Sequence, residues 1–185
     1  RGLRQGVREL SMFPVFFGSA INCMGSLMLM DYIVDLLPNP MEGNHHKATT
    51  QDGETEEFVV SPGGVPTAYV FKTISDQYGK YSLIKVLSGE ITSDLSLVNA
   101  RTGNPEKLGR LYQMCGKKAT EVKELTCGDI GAIGKMEKVK TGDTLCDSRK
   151  VVALKGIPFA EPCYSKAIAP KTRGQDDKVA AGLAK

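Results

Sequence analysis

Three small residues, Gly18-Ser19-Ala20, follow an apolar run at positions 13–17 and are the stretch best suited to hold a ligand. A backbone that turns sharply at the carboxyl end of a strand points N–H groups at a flat ligand, and small side chains let it approach closely. A guanine carbonyl oxygen can be read this way, although the same residues also suit an ordinary strand end and turn. Two other stretches imitate nucleotide motifs less well. "GDIGAIGKM", residues 128–136, has five residues rather than four between Gly128 and Gly134, and Met136 stands where a hydroxyl would have to reach magnesium. It reads as a strand. "DQYG", residues 76–79, has the spacing of a GTPase switch motif but the composition of a hairpin turn. No N-K-x-D sequence occurs. His45 and His46 are the only histidines; adjacent in a polar stretch, they read as solvated loop residues and not as metal ligands. No Ser/His/Asp or Cys/His pairing suggests a nucleophile, so no catalytic residue is assigned.

The elements that must position these residues follow from composition and pattern. The 185 residues are 41% hydrophobic, enough for a buried core, and a net charge of +3 neither announces nor excludes a nucleic-acid partner. Five cysteines with no C-x-x-C pair point to reduced thiols in a cytoplasmic protein. No signal peptide is evident, and the greasiest stretch, residues 27–37, is too short to span a bilayer and contains Asp31 and Asp35. These two aspartates share one narrow face of a helix capped by Ser26, and every other face is apolar. A helix of this kind expects cover on most sides. That demand, and the absence of an initiator Met, suggest an excised piece of a longer protein. Pro38-Asn39-Pro40 stops the helix, and residues 41–66 read as a polar connector with one short strand at 57–60.

From 67 to 147 the rhythm changes. The strand-like runs "TAYVFKTI", "YSLIKVLS", "LSLVNA", "KLGRLYQM", "IGAIGKM" and "DTLCD" are separated by turn glycines at 79, 89, 103, 116, 128 and 142, about 10 to 14 residues apart, as antiparallel strands closing into a barrel require.

Taken in order, "PVFFGSAINCMG", "LMDYIVDLLPNP", "AYVFKTISD", "YSLIKVLSGEI", "GDIGAIGKMEKVKTGDTLC" and "EPCYSKAIAPKTRGQDDKVAAGLAK" closely resemble bacterial elongation factor G and its paralogues. The resemblance implies a mainly β chain: a translation-factor β-barrel of the domain II type at 67–150, preceded by the strand-helix end of an α/β GTPase domain at 1–40 and a linker at 41–66. The truncated start of an α+β third domain, with an opening strand from Glu161 and a helix from Gln175, would occupy 151–185. It also implies that Gly18, Ser19 and Ala20 contact the guanine base, with the Ala20 backbone reading the oxygen and Ser19 supporting the loop. GTP, GDP and Mg2+ would be ligands of a full-length GTP hydrolase. This chain alone would be inactive, since its residues include no phosphate loop, switch or N-K-x-D motif. Around "QYGKYS" the chain is one residue shorter than the common pattern, and "INCMGS" and "YQMCGKK" look more like the divergent paralogues than the housekeeping factor.

In that family the barrel docks on small-subunit ribosomal RNA, and the factor couples GTP hydrolysis to a step of protein synthesis such as translocation. Residues 67–147 carry twelve Lys/Arg against ten Asp/Glu, so RNA contact would need charge segregated onto one face. Lys80, Lys85, Arg101, Lys107, Arg110, Lys117 and Lys118 stand in or near loops and are the candidates. The alternative reading is a stand-alone β-barrel adaptor that binds RNA or protein without GTPase activity.

Overall fold

A computed structural model describes residues 2–42, 45–76, 79–116, 118–136 and 138–183. The chain divides into two compact units, residues 1–45 and 46–185.

The first unit is built on two helices. The first, α1 (Gly2–Arg8), was not evident in the sequence. It ends with Leu10 in the left-handed region (φ 57°), where Ser11 N–H donates to Gly6 O at 2.9 Å and Leu10 N–H to Val7 O at 3.2 Å. This pair of bonds satisfies carbonyls left over by the helix end. The second, α2 (Ser26–Leu36), falls where expected, but Ser26 is its first helical residue and not its cap. Gly25 takes the capping position at φ 77°, and a Cβ there would lie 3.0 Å from Phe17 O. Leu37, before Pro38, is extended and closes the helix through its N–H on Ile33 O. Only Leu36 of this helix is buried; Leu27 and Val34 are 78% and 77% exposed, so the apolar faces noted in the sequence are uncovered in this unit. The expected strand at 13–17 does not form. Phe13, Val15 and Phe17 are exposed, and an apolar run becomes a strand only when a neighbour offers backbone partners, which none of the described residues does.

The second unit begins with a correction. The segment expected as a connector carries two strands, β1 (His45–Thr50) and β2 (Thr55–Val59), joined by a turn in which Thr50 N–H donates to Glu54 O. His46 therefore lies in a strand and not in a solvated loop. The sheet order is β13–β1–β2, with β13 (Val152–Leu154) antiparallel to β1, and Ala48, Phe58, Val60, Leu87 and Val152 form a small core beneath it. Polar composition hid this sheet because only alternate residues of each strand reach that core.

The remaining strands are β3 (Thr67–Asp76), β4 (Gly79–Ser88), β5 (Glu90–Thr92), β6 (Ser96–Asn99), β7 (Pro105–Lys107), β8 (Leu111–Cys115), β9 (Lys118–Val122), β10 (Glu124–Thr126), β11 (Ile130–Gly134) and β12 (Thr144–Cys146). Eight of them form one antiparallel sheet in the order β7–β6–β12–β3–β4–β11–β8–β9, and β5 pairs with β10. The run "KLGRLYQM" divides into the end of β7 and most of β8 around Gly109, where a Cβ would come within 2.3 Å of Gly134 O. All six expected turn glycines have positive φ. Hydrogen bonds do not close the ladder among the described residues: β7 and β9 are its edges. The strands nevertheless share one core, in which Val70, Ile84, Ile91, Leu97, Leu111, Ile133 and Leu145 are fully buried. An open ladder whose strands from β6 to β8 feed a single core has to curl.

After β13 the chain is exposed from residue 155 through residue 169 and forms no strand, so the strand expected from Glu161 is absent; Cys163 and Tyr164 are exposed. The helix expected from Gln175 is present as α3 (Asp176–Leu183), with Asp176 and Asp177 in its first turn, where they complement the helix dipole. Among the described residues no helix is long and apolar enough to cross a membrane.

Candidate functional site

The Gly18-Ser19-Ala20 loop is a closed reverse turn. Ser19 and Met24 exchange both backbone hydrogen bonds at 3.0 Å, while Cys23 sits at φ 54° and donates its N–H to Ala20 O at 3.4 Å. The Ser19 hydroxyl accepts from Asn22 N–H at 3.4 Å, so Ser19 supports the loop from within. Gly18 is required by close approach, since a Cβ there would lie 2.7 Å from Met24 O. Ala20 is exposed, and its N–H makes no hydrogen bond among the described residues, which leaves a donor free for a carbonyl oxygen. Gly18→Ala is expected to break the Ser19–Met24 pair, so that exchange of the Ser19 and Met24 amides becomes as fast as that of exposed Ile21. Retained protection of both amides would show that the loop tolerates the Cβ. Among the described residues no group of three or more His, Cys, Asp or Glu could hold a metal ion.

The candidate cations of the sheet are dispersed. Lys107 is exposed on β7 opposite Ser96, and Lys118 is exposed on β9 opposite Cys115, at the two ends of the ladder. Arg110 pairs with Glu121 at 3.2 Å, both mostly exposed, a contact worth about 0–1 kcal/mol. Lys85 is half-buried in β4 between Tyr69 and Ile130. Its charge adds to burial, the larger cause, in lowering the pKa of His46, whose Nε2 is buried without a partner among the described residues. Lys117 lies outside the described residues.

Arg101 and Lys80 have structural work instead. Asp143, its side chain only 3% exposed, accepts from Arg101 Nε at 2.7 Å and Nη2 at 2.9 Å, from Asn99 Nδ2 at 2.8 Å and from Lys140 N–H at 2.9 Å. Burial pushes this carboxyl upward, but the Arg101 guanidinium, the Lys140 N–H and the Asn99 amide outweigh it and hold the pKa below the usual value. Arg101 Nη2 also donates to Lys138 O at 3.3 Å, and Lys80 Nζ donates to Val139 O at 3.2 Å. Both cations thus converge on the loop between β11 and β12. Its lysines, Lys135, Lys138 and Lys140, are all exposed and were missed in the sequence. The signal that could have found them is the spacing of "KMEKVK", with Met136 and Val139 as apolar anchors between cations.

Comparison with known proteins falls on this framework. The family described as "Elongation factor G domain 2" matches residues 66–148, the span of the eight-stranded sheet. Proteins named "Elongation factor G 2" from Shewanella sp. (strain MR-4) and "Elongation factor G 1" from Synechocystis sp. (strain PCC 6803) are each 35% identical over the whole chain. The chain spans 27% of the length of each. A crystal structure of a protein from Thermus thermophilus superposes with a TM-score of 0.70 at 26% identity, over 98% of this chain and 25% of the other.

Proposed function

Because this chain belongs to the elongation factor G family, we propose that its sheet domain is the ribosome-docking module of a cytoplasmic translational GTPase that couples GTP hydrolysis to a step of protein synthesis, translocation first among them. The observation that carries this reading is the 35% identity that covers the whole chain, both units included, and extends well beyond the matched domain. The partner is small-subunit ribosomal RNA, approached through cations of the sheet and its loops. The Gly18-Ser19-Ala20 turn contributes base recognition only: the free Ala20 N–H faces the guanine oxygen, and Gly18 allows the close turn that presents it. The turn is assigned no phosphate or magnesium contact, and those contacts supply most of the transition-state stabilisation in such enzymes.

Two measurements test the reading. The chain is expected to co-sediment with small ribosomal subunits at low salt and to be released as salt rises, as phosphate-dominated binding requires. Isothermal titration with GTP and magnesium is expected to show no micromolar binding, because base contacts alone must offset the cost of immobilising the ligand. Failure to associate with the small subunit at low salt overturns the docking role. Micromolar GTP affinity overturns the assignment of the turn to base recognition alone.

A further inference from the structure

The described residues of the loop between β11 and β12 are held at several points. Met136 is 3% and Val139 0% exposed, so two apolar side chains pin it to the core. Its backbone is fixed at successive residues: Lys138 O by Arg101, Val139 O by Lys80, Lys140 N–H by the Asp143 carboxylate and Lys140 O by Asp143 N–H at 3.1 Å. The Thr141 and Thr73 hydroxyls are hydrogen-bonded to each other at 3.1 Å. With the apolar side chains inward, Lys135, Lys138 and Lys140 are exposed and form no ion pair among the described residues.

We propose that this loop is a preorganised phosphate-binding platform for the backbone of structured RNA, with Lys135, Lys138 and Lys140 as the contacting cations and Asp143, Arg101 and Lys80 as the residues that position them. The proposal rests on the ribosome-docking reading and moves its contact face away from the edge-strand lysines. Charge and reach fit the partner. From Lys135 to Lys140 the chain can reach at most about 17 Å, enough for several neighbouring phosphates on one strand. Among its described residues the loop exposes no aromatic residue on which a base could stack and no apolar side chain with which to anchor a peptide or enter a bilayer; its three exposed cations complement a polyphosphate. The one acidic residue of the loop besides Asp143 is Glu137, which lies outside the described residues.

The test is fluorescence anisotropy of a labelled 20-bp RNA duplex of arbitrary sequence titrated with the full chain from about 50 to 200 mM salt. K135Q/K138Q/K140Q is compared with K107Q/R110Q/K118Q, which removes the same charge from other parts of the sheet. The loop triple variant is expected to weaken binding at least about tenfold and to flatten the log–log salt slope by about two to three units, one per phosphate lost, while the control changes the slope by less than about one. Thermal melting confirms that both stay folded, and the single variants K138Q and K140Q, expected to lose about one unit each, replace the triple if it does not. D143N supplies the positioning test. It raises net charge by one, so charge alone would tighten binding, whereas an unpinned loop binds RNA more weakly. Loss of slope in the control but not in the loop variant overturns the platform and leaves RNA docking standing. Absence of any RNA binding by the unmodified chain at low salt overturns both.

Discussion

Asp143→Ala is expected to lower the unfolding free energy by about 3 kcal/mol, the low end of the range for removing one partner of a buried charged pair. Arg101 keeps 45% side-chain exposure and can recover water, which limits the loss, but Asn99 is fully buried and its amide cannot. An orphaned buried amide costs its desolvation. In a domain of this size the change lowers Tm by about 6–12 °C. The same carboxylate makes stability depend on pH with a definite sign. Its folded pKa lies below the usual 3.8, so the unfolded chain binds the proton more readily. The contribution is fully present above that usual value and is lost as pH falls through the lower folded one. Urea unfolding of the unmodified chain and of D143N should therefore show a gap near neutrality that narrows as pH drops below about 3.8 and closes once pH has fallen through the lower folded pKa, where the native carboxyl is itself neutral. A gap that stays constant down to the acid limit would show that Asp143 is not held ionised by its partners.

Gly89→Ala should cost about 2–4 kcal/mol, the sum of left-handed strain and a backbone overlap. Gly89 sits at φ 64°, and a Cβ there would lie 2.6 Å from Gly64 O and 2.9 Å from Pro66 N. Both are main-chain atoms, and the segment is tied down by Gly89 N–H on Ser61 O at 2.9 Å, so neither segment can give way cheaply. Gly103 provides the control. Its φ is 70°, but a Cβ would meet nothing within 4 Å. Gly103→Ala should then show the conformational strain alone, about 1 kcal/mol. Equal losses for the two variants in urea unfolding would mean that the chain crossing at Gly64–Pro66 relaxes.

Much of the fold and the local shape of one candidate loop are legible without coordinates. Alternating apolar runs punctuated by glycine mark β3, β4, β6, β8, β11 and β12, because a strand with one buried face needs period-two patterning and its turns need positive φ, which is what Gly79, Gly89, Gly103, Gly116, Gly128 and Gly142 adopt. The helix at 26–36 and its stop at Pro38 follow from apolar content and from the geometry that proline imposes. Gly18-Ser19-Ala20 is recognisable as a tight turn because its residues are small.

Partnership is what only the tertiary structure decides. Residues 13–17 have the composition of a strand and find no neighbour among the described residues, whereas residues 45–50 look like a polar loop and become β1 because β13 lies about a hundred residues away to pair with them. Short strands such as β5 and β10 carry too few residues to show a period and exist through each other. Arg101 and Lys107 are alike as letters, yet Arg101 is drawn to the buried carboxylate of Asp143 and Lys107 is left in water. The lysines of residues 135–140 become a surface only once Met136 and Val139 are pulled inward and Asp143 fixes the backbone between them. Local preference acts over a few residues and is written in order along the chain; burial, pairing and charge neutralisation depend on which distant groups arrive at the same place.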